Sequence, residues 1–180
     1  FNVLDRALTF RDAREDDAVD VAEIGRDTFI ETFGRLYPPH DLKTYLDDAF
    51  AIERIRAEIL DPEIDIRIAF AGRRIVAYTK IGPCKLPIDT GPDPALELHR
   101  IYVYRARQGV GVGRILLNWA IERARQRGAK QLFLGVFSKN RHAISVYENR
   151  GFLKVGEYRF PVGETLDDEN IMRLDLTIEA

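Results

Sequence analysis

The 180-residue chain contains only one cysteine, Cys84, and three histidines. A single cysteine cannot form an internal disulfide bond, which excludes a disulfide-stapled fold and leads us to expect a reducing, cytoplasmic setting. Because the three histidines are scattered and lack the spacing of metal ligands, we expect no metal site. No apolar run approaches the roughly 18 residues of a membrane-spanning helix, so we expect no membrane association.

A large excess of charge of one sign is also lacking. The 27 lysines and arginines nearly balance the 29 aspartates and glutamates, which leaves a net charge of −2. Such a chain has no overall field that would attract nucleic acid or an anionic membrane, and we expect no nucleic-acid partner. The first residues, FNVLD, lack the basic-then-apolar pattern of a secretory signal. The length is sufficient for one domain, spanning 1–180, with a sizeable core.

Hydrophobic periodicity and turn residues predict an alternation of strands and helices. Asp16 or Asp17 is a candidate cap for the first helix. The predicted helices cover 17–33, 41–60 in one or two pieces, 110–127 and 140–150. The predicted strands cover 7–11, 64–70, 73–82, 95–104, 131–137, 152–160 and 171–178, with a proline-rich loop at 83–94. This mixture predicts an α/β (α+β) fold with a mixed sheet and helices on both faces.

The segment RARQGVGVGRILLNWAIERARQRG, residues 105–128, places three glycines at the entrance of a predicted helix. They are Gly109, Gly111 and Gly113. Glycine permits a positive φ and the close approach of a bulky group, while the first amides of a helix have no partner within it. Successive glycines at this position can therefore form a nest for phosphate oxygens, although a simple chain turn would use glycine too.

Three phosphate-binding patterns can be compared with this segment. A nucleotide P-loop fails because Gly113 is followed by Arg114 and Ile115 rather than by Lys and Ser or Thr. A dinucleotide fingerprint fails because its last glycine would fall at Arg114 and because the segment does not follow a first strand. The pattern Gln/Arg-x-x-Gly-x-Gly/Ala fits Gln108, Gly111 and Gly113. It resembles the coenzyme A pyrophosphate loop of the GNAT superfamily of N-acetyltransferases.

A second motif lies one strand further along, in LGVFSKNRHAISVYENRGF, residues 134–152. It resembles the second signature of the same superfamily. Asn140 and Tyr147 are seven residues apart, which places them on one side of a helix about two turns, or roughly 10 Å, apart. Separately they would be explained as a helix cap and a core tyrosine. The residues that match the signature are Val136, Asn140, Ala143, Tyr147, Gly151 and Phe152.

Within the superfamily the chain is most similar to the PaiA-type polyamine N-acetyltransferases. The similar stretches are TFIETF (28–33), LKTYLDDAF (42–50), LELHRIYV (96–103), LLNWAIERA (116–124) and LGVFSKN (134–140). The resemblance implies a GNAT-type, mostly antiparallel central sheet of about seven strands flanked by about four helices. It also implies acetyl transfer from acetyl-CoA to a small-molecule amine, a polyamine such as spermidine or spermine.

The resemblance also implies catalytic roles. Tyr147 matches the family's tyrosine and would act as the acid that protonates the departing sulfur. Glu97 is a candidate base, on the face of its strand that strict alternation gives to His99, Ile101 and Val103. His99 is a second candidate, because an ordinary histidine pKa near about 6.5 suits proton transfer. It stands where a glutamate is expected in the PaiA type, so the sequence leaves the identity of the base open.

The implied cofactor contacts fall on three segments. The strand residues Ile101, Tyr102 and Val103 would face the pantetheine arm, and Asn140 and Tyr147 would hold the ligand near its thioester. The cations of Arg105, Arg107 and Arg114 are expected to be exposed near the phosphates. The pyrophosphate would be held by Gln108, Gly109, Val110, Gly111, Val112, Gly113 and Arg114.

The acceptor is expected between the first two helices and the last strands. Its candidate lining is Phe29, Phe33, Tyr37, Tyr45 and Asp48. The carboxylates of Asp47 and Asp48 would bind the distal cations of a polyamine. The alternatives are acetylation of a protein N-terminus or lysine, and a non-catalytic acyl-CoA-binding domain. A homodimer is left open.

Overall fold

The computed structural model describes residues 7–178, and 7–178 are the residues discussed below. The strands are β1 (Leu8–Asp12), β2 (Asp65–Ala71), β3 (Arg74–Pro83), β4 (Ala95–Val103), β5 (Gln131–Phe137), β6 (Leu153–Val162) and β7 (Thr165–Asp175). The helices are α1 (Ala18–Phe33), α2 (Pro39–Ala49), α3 (Ile52–Leu60), α4 (Val112–Gln126) and α5 (Arg141–Asn149). The predicted second helical region is divided into α2 and α3, since the chain leaves the helical conformation at Phe50 and Ala51.

All seven strands form one sheet, in the order β1-β2-β3-β4-β5-β7-β6. Every neighbouring pair is antiparallel except β4 with β5, which run parallel. A parallel pair requires a crossover connection, and α4 supplies it between these two strands. The prediction of a mixed, mostly antiparallel sheet of about seven strands is confirmed.

The helices cover the two faces of this sheet. On one face, α1, α2 and α3 bury residues such as Phe29, Leu46 and Ile55 in a cluster that includes Tyr78 of β3. On the other face, α4 and α5 pack against β5 and β7. Aliphatic side chains at helical spacing along α4 are fully buried there, which accounts for its orientation on the sheet. None of the described helices has the length and apolar character that crossing a membrane requires.

Several details differ from the predictions, and three of them have a clear local reason. Asp17 does not cap an α1 amide, because its carboxylate accepts hydrogen bonds from the Arg11 guanidinium at 2.7 and 2.9 Å and from the Arg14 amide at 2.7 Å. Helix α4 begins at Val112 because the preceding residues adopt a glycine-dependent turn. Strand β7 begins at Thr165 rather than Ile171, because a hairpin turn with Gly163 at φ +58° pairs it with β6 from its first residue.

Candidate active site

A cleft opens where β4 and β5 separate. Only the first three residues of each strand are paired, Ala95–Glu97 of β4 with Gln131–Phe133 of β5. Both strands continue for several residues beyond this paired segment. Beyond the paired segment they become two walls of a cleft of about 1150 Å³. A strand edge without a neighbouring strand keeps hydrogen-bonding groups available to a ligand. The divergence therefore provides an opening through the middle of the sheet.

A β-bulge at His99 changes which side chains face each wall. Leu98 pairs with Ile81 while Arg100 pairs with Lys80, so His99 is the extra residue in β4. As a consequence, Leu98 and Ile101 both pack on the α4 side, although they are three residues apart. The expectation that Glu97 shares a face with Ile101 and Val103 is therefore wrong, because strict alternation does not hold across a bulge.

The glycine-rich turn at the start of α4 has the geometry of an anion cradle. Gly109 and Gly111 have φ of +83° and +89°, which is the left-handed region that glycine adopts readily. A Cβ built at Gly109 would meet no atom within 4 Å, so open space lies in front of its backbone. No side chain among residues 7–178 caps the first amides of α4. The free amides and the open space fit a diphosphate.

The edge of β4 and this turn are joined by one side chain. The Gln108 amide donates from Nε2 to the carbonyl oxygen of Val103, at 3.1 Å. The amide of Tyr104, in the same peptide unit, donates to Val76 of β3 at 3.1 Å. Because the two groups of one peptide unit point in opposite directions, the Val103 carbonyl points away from β3 and towards the cleft. The sequence did not predict this contact.

The cleft brings together most of the predicted cofactor and catalytic residues and leaves four outside. Val110 is exposed, Val112 is buried in the core, Gly111 lies at the N-terminus of α4, and Arg114 is exposed on its first turn. Only the backbone of Val112 is available to a ligand, because its side chain packs with Leu116. The predicted residues that line the cleft are Glu97, His99, Ile101, Tyr102, Val103, Gln108, Gly109, Gly113, Asn140 and Tyr147.

Helix α5 carries Asn140 and Tyr147 to the same wall. Asn140 caps the helix, since its Oδ1 accepts a hydrogen bond from the Ala143 amide at 3.2 Å. Tyr147 is partly buried, and its ring packs edge-on against Phe152 with the ring centroids 5.6 Å apart. Its hydroxyl has no hydrogen-bond partner in the described part of the chain. Burial, reinforced by the nearby Tyr102, raises the pKa of Tyr147 to about 12, so the phenol is protonated at neutral pH.

The side chains of Glu97 and His99 lie in contact on β4. The Glu97 carboxyl is 8% exposed, accepts a hydrogen bond from the Lys85 amide at 2.9 Å, and lies 3.1 Å from His99 Nδ1. On the other side of the ring, Nε2 lies 3.0 Å from the carbonyl oxygen of Pro83. A carbonyl oxygen can only accept a hydrogen bond, so Nε2 carries the proton in this contact and Nδ1 faces the Glu97 carboxylate. The imidazole and the carboxylate thus lie side by side as two candidate proton acceptors.

The three arginines expected near the phosphates differ in their environments. Arg105 donates from its amide to the Glu31 carboxylate at 2.9 Å, and its guanidinium donates to the Glu31 carbonyl. Arg107 is buried, so the expectation that it is exposed is wrong. Arg114 is exposed, as predicted. Arg105 is the one of the three that lines the cleft.

The predicted acceptor end of the cleft is the part between α1, α2 and the β6–β7 hairpin. Phe29, Phe33, Tyr45 and Asp48 line it, whereas Tyr37 is buried outside it and donates to Asp167. The predicted role of the two aspartates is not supported by their contacts. Asp47 is paired with Arg26 at 2.9 Å and with Lys43, and Asp48 is paired with Arg54 at 2.9 Å. Their negative charges are already balanced by the protein.

The sequence did not identify two further residues at this end, the aromatic Tyr158 and the acidic Glu169. The Tyr158 hydroxyl donates to Glu169 at 2.7 Å, and burial raises the pKa of the Glu169 carboxyl. Gly135 of β5 makes room for them, because a Cβ there would lie 2.6 Å from the Tyr158 oxygen. The signal was present as a glycine inside a strand, which often marks a close approach.

Buried charge at the base of the acceptor end was missed as well. Lys80 of β3 and Arg100 of β4 both line the cleft, together with Glu58 of α3. Their positions depend on the β3–β4 register, which the sequence did not give. Among residues 7–178, no group of three or more histidine, cysteine, aspartate or glutamate side chains could hold a metal ion.

The chain matches known acetyltransferases in sequence and in structure. An uncharacterized N-acetyltransferase encoded in the pepI 3′ region of Lactobacillus delbrueckii subsp. lactis is 26% identical over 159 residues, which are 88% of this chain and 92% of the relative. The PaiA N-acetyltransferase of Thermoplasma acidophilum, solved in complex with coenzyme A, superposes with a TM-score of 0.75 at 18% identity, covering 94% and 99% of the two chains. The ribosomal-protein-S18-alanine N-acetyltransferase of Escherichia coli gives a TM-score of 0.71 at 19% identity, with 97% of each chain covered.

The family model described as Acetyltransferase (GNAT) family matches residues 23–152, well over half of the chain. The matched range contains the glycine-rich turn, both walls of the cleft and Tyr147. The protein therefore belongs to the acetyltransferase (GNAT) family and is an N-acetyltransferase that uses acetyl-CoA.

Proposed function

We propose that residues 1–180 form one domain that transfers the acetyl group of acetyl-CoA to the amine of a small molecule. One observation carries this proposal. A single cleft connects the uncapped, glycine-rich entrance of α4 with Tyr147 on one side and with the Glu97–His99 pair on the other. Such a cleft can bind a phosphate-bearing cofactor at one end and an amine at the other, with proton-transferring groups between them.

The cofactor end is formed by backbone more than by side chains. The amides at the start of α4 and the open space at Gly109 would hold the pyrophosphate. The edge of β4 from Ile101 to Val103 is not paired with β5, and the pantetheine arm would lie along it in the place that a neighbouring strand would occupy. Coenzyme A presents the acetyl group as a thioester, and a β4 amide at the divergence is placed to stabilise the oxyanion that forms when an amine attacks.

The two proton transfers fall to different groups. An alkylamine with a pKa of about 10.4 is almost entirely protonated at neutral pH, so a base must remove one proton before attack. The Glu97–His99 pair can accept that proton, directly or through a water molecule. The hydroxyl of Tyr147 can donate a proton to the departing sulfur, since its raised pKa keeps it protonated.

The aromatic lining of the acceptor end supports a small-molecule acceptor. Phe33, Tyr45, Tyr158 and Phe160 line it, and the carboxylates of Glu97 and Glu169 offer acceptors for an ammonium group. These two carboxylates, rather than Asp47 and Asp48, support a polyamine as the first acceptor to test. Spermidine therefore belongs in the assay, beside other diamines, amino acids and short peptides.

The direct test is the release of free coenzyme A thiol when the purified protein meets acetyl-CoA and an amine. We expect thiol release above the rate of hydrolysis with at least one small amine, spermidine included. Mass spectrometry of the acceptor should show one added acetyl group. Release with peptides alone would show that the acceptor is a protein, and no release across the amine and peptide panel would disprove the proposed reaction.

The substitution Glu97→Gln tests the base. We expect kcat/KM for the amine to fall about 100-fold at neutral pH, because the variant cannot accept the ammonium proton. The deficit should shrink as pH rises towards the amine pKa of about 10.4, since solvent then supplies the neutral amine. A pH profile of both proteins measures this. A deficit that stays constant across the profile would assign Glu97 a structural role instead.

A further inference from the structure

Arg100 is a partly buried arginine that forms no ion pair with any of residues 7–178. It lies on β4 directly after the bulge and lines the acceptor end of the cleft. Its Nη1 atom is inaccessible to solvent and has no hydrogen-bond partner within residues 7–178. No carboxylate in that range comes within 4 Å of its guanidinium. An unpaired, desolvated charge is costly, so the native fold retains it against a clear energetic penalty.

The surroundings of Arg100 position the guanidinium without neutralising it. The group lies over the ring of Phe50, 4.4 Å from the ring centroid. Tyr45, Tyr78 and Tyr102 lie close enough to interact electrostatically with it, and so does the carboxylate of Glu58, beyond ion-pair distance. Aromatic faces attract a cation but do not replace the two parallel hydrogen bonds that a guanidinium makes with a carboxylate. Arg100 is therefore fixed in place with donor capacity left over.

The neighbouring charges do not supply the missing anion. Lys80 is 6% exposed and forms an ion pair with Glu58, with Nζ and Oε2 separated by 3.0 Å. Glu58 also faces Arg54 at 3.7 Å and interacts at longer range with Arg100, so its single negative charge is shared by three cations. Burial and the charge of Arg100 lower the pKa of Lys80 to about 8. The base of the cleft carries more positive than negative charge, and one further anion would balance it.

We propose that Arg100 binds a carboxylate carried by the acceptor, so that the acceptor is an amino acid or another small amino-carboxylate. The inference rests on the proposed acetyl transfer to a small amine and specifies its substrate class. Both ends of such an acceptor find partners in one cleft: Glu97 and Glu169 accept from the ammonium group, and Arg100 donates to the carboxylate. A guanidinium is the side chain best matched to a carboxylate in both shape and charge.

The test compares acceptors that differ only in the carboxylate. Ornithine is paired with putrescine, and each further amino acid in the panel is paired with its decarboxylated amine and its amide. For the wild-type protein we expect kcat/KM to be at least about 10-fold higher for the amino acid than for either partner, the size of an effect expected for one charge-assisted pair. Arg100→Lys and Arg100→Met should lower kcat/KM for the amino acid about 10- to 100-fold and change the value for the amine less than about 3-fold.

The control is Arg67→Lys, which alters another arginine that packs over an aromatic ring, Trp119 at 5.7 Å, away from the cleft. It should leave both kinetic values unchanged. Amines acetylated as well as or better than their amino acids by the wild type would overturn the carboxylate proposal and leave the proposed acetyl transfer intact. An equal loss for both acceptors in folded Arg100 variants, with acetyl-CoA affinity retained, would also overturn it. Failure of every acceptor in the wild type, amino acids and amines alike, would instead reject the proposed function.

Discussion

Replacing Tyr147 by phenylalanine should lower kcat about 100- to 1,000-fold while changing the dissociation constant for acetyl-CoA less than about 3-fold. Tyr147 lines the cleft, its hydroxyl has no hydrogen-bond partner among residues 7–178, and its pKa of about 12 keeps it protonated. Its loss removes the proton that the departing thiolate requires. The ring remains, so its edge-on contact with Phe152 and the packing of α5 survive. Steady-state kinetics and calorimetric titration with acetyl-CoA separate the two quantities.

The control for this substitution is Tyr104→Phe, which removes a phenol hydroxyl outside the cleft that donates to Asp27 at 2.9 Å. It should leave kcat within about 2-fold of the wild type, as surface hydrogen bonds contribute little.

The pH profile provides a second check. A tyrosine of ordinary pKa would lose half of its protonated form at about pH 10. With a pKa of about 12, Tyr147 should sustain kcat at saturating amine up to pH 10. Equal losses of kcat and cofactor affinity in Tyr147→Phe would make it a packing residue.

Local chemistry explains why the cofactor end of the site was predictable from sequence. The glycines at 109, 111 and 113 and the spacing of Asn140 and Tyr147 carry their meaning within short segments. Their conformations depend on nearby residues: a positive φ in the turn, and a helix that begins at a capping asparagine. The order of strands and helices follows from periodicity in the same way, and it was confirmed with shifts of a few residues at the boundaries.

Long-range contacts explain why the acceptor end was not predictable. The bulge at His99 is an irregularity in the pairing of β3 with β4, and alternation along β4 alone places Glu97 on the wrong face. The balance of charge depends on which helices meet. Asp47 is neutralised by Arg26, 21 residues away in sequence, while Arg100 has no carboxylate within 4 Å in the described part of the chain. A sequence shows which charges exist, but the fold decides which of them remain unpaired.

The substitution Gly109→Val should weaken acetyl-CoA binding about 10- to 100-fold, the effect of one to three kcal/mol of backbone strain together with lost space in the cradle. Gly109 has φ +83°, a conformation that valine disfavours strongly, and its Cβ would stand in the open space before the backbone amides. The variant must either turn those amides away from the diphosphate or place methyl groups where the phosphate oxygens belong. Calorimetric titration with acetyl-CoA and with coenzyme A measures the change.

Gly128 offers a control with the same backbone conformation at the opposite end of the same helix. It also has φ +83°, and a Cβ added there would meet no atom within 4 Å. Gly128 nevertheless lies outside the cleft. Gly128→Val should therefore impose comparable strain and a comparable fall in melting temperature, with no change in cofactor affinity. The two substitutions are matched in φ and in steric surroundings. A difference between the two variants in affinity for acetyl-CoA would therefore show that the amides at the α4 N-terminus bind the cofactor. Equal affinities for the two variants would mean that the glycine turn only redirects the chain and that the diphosphate is held elsewhere.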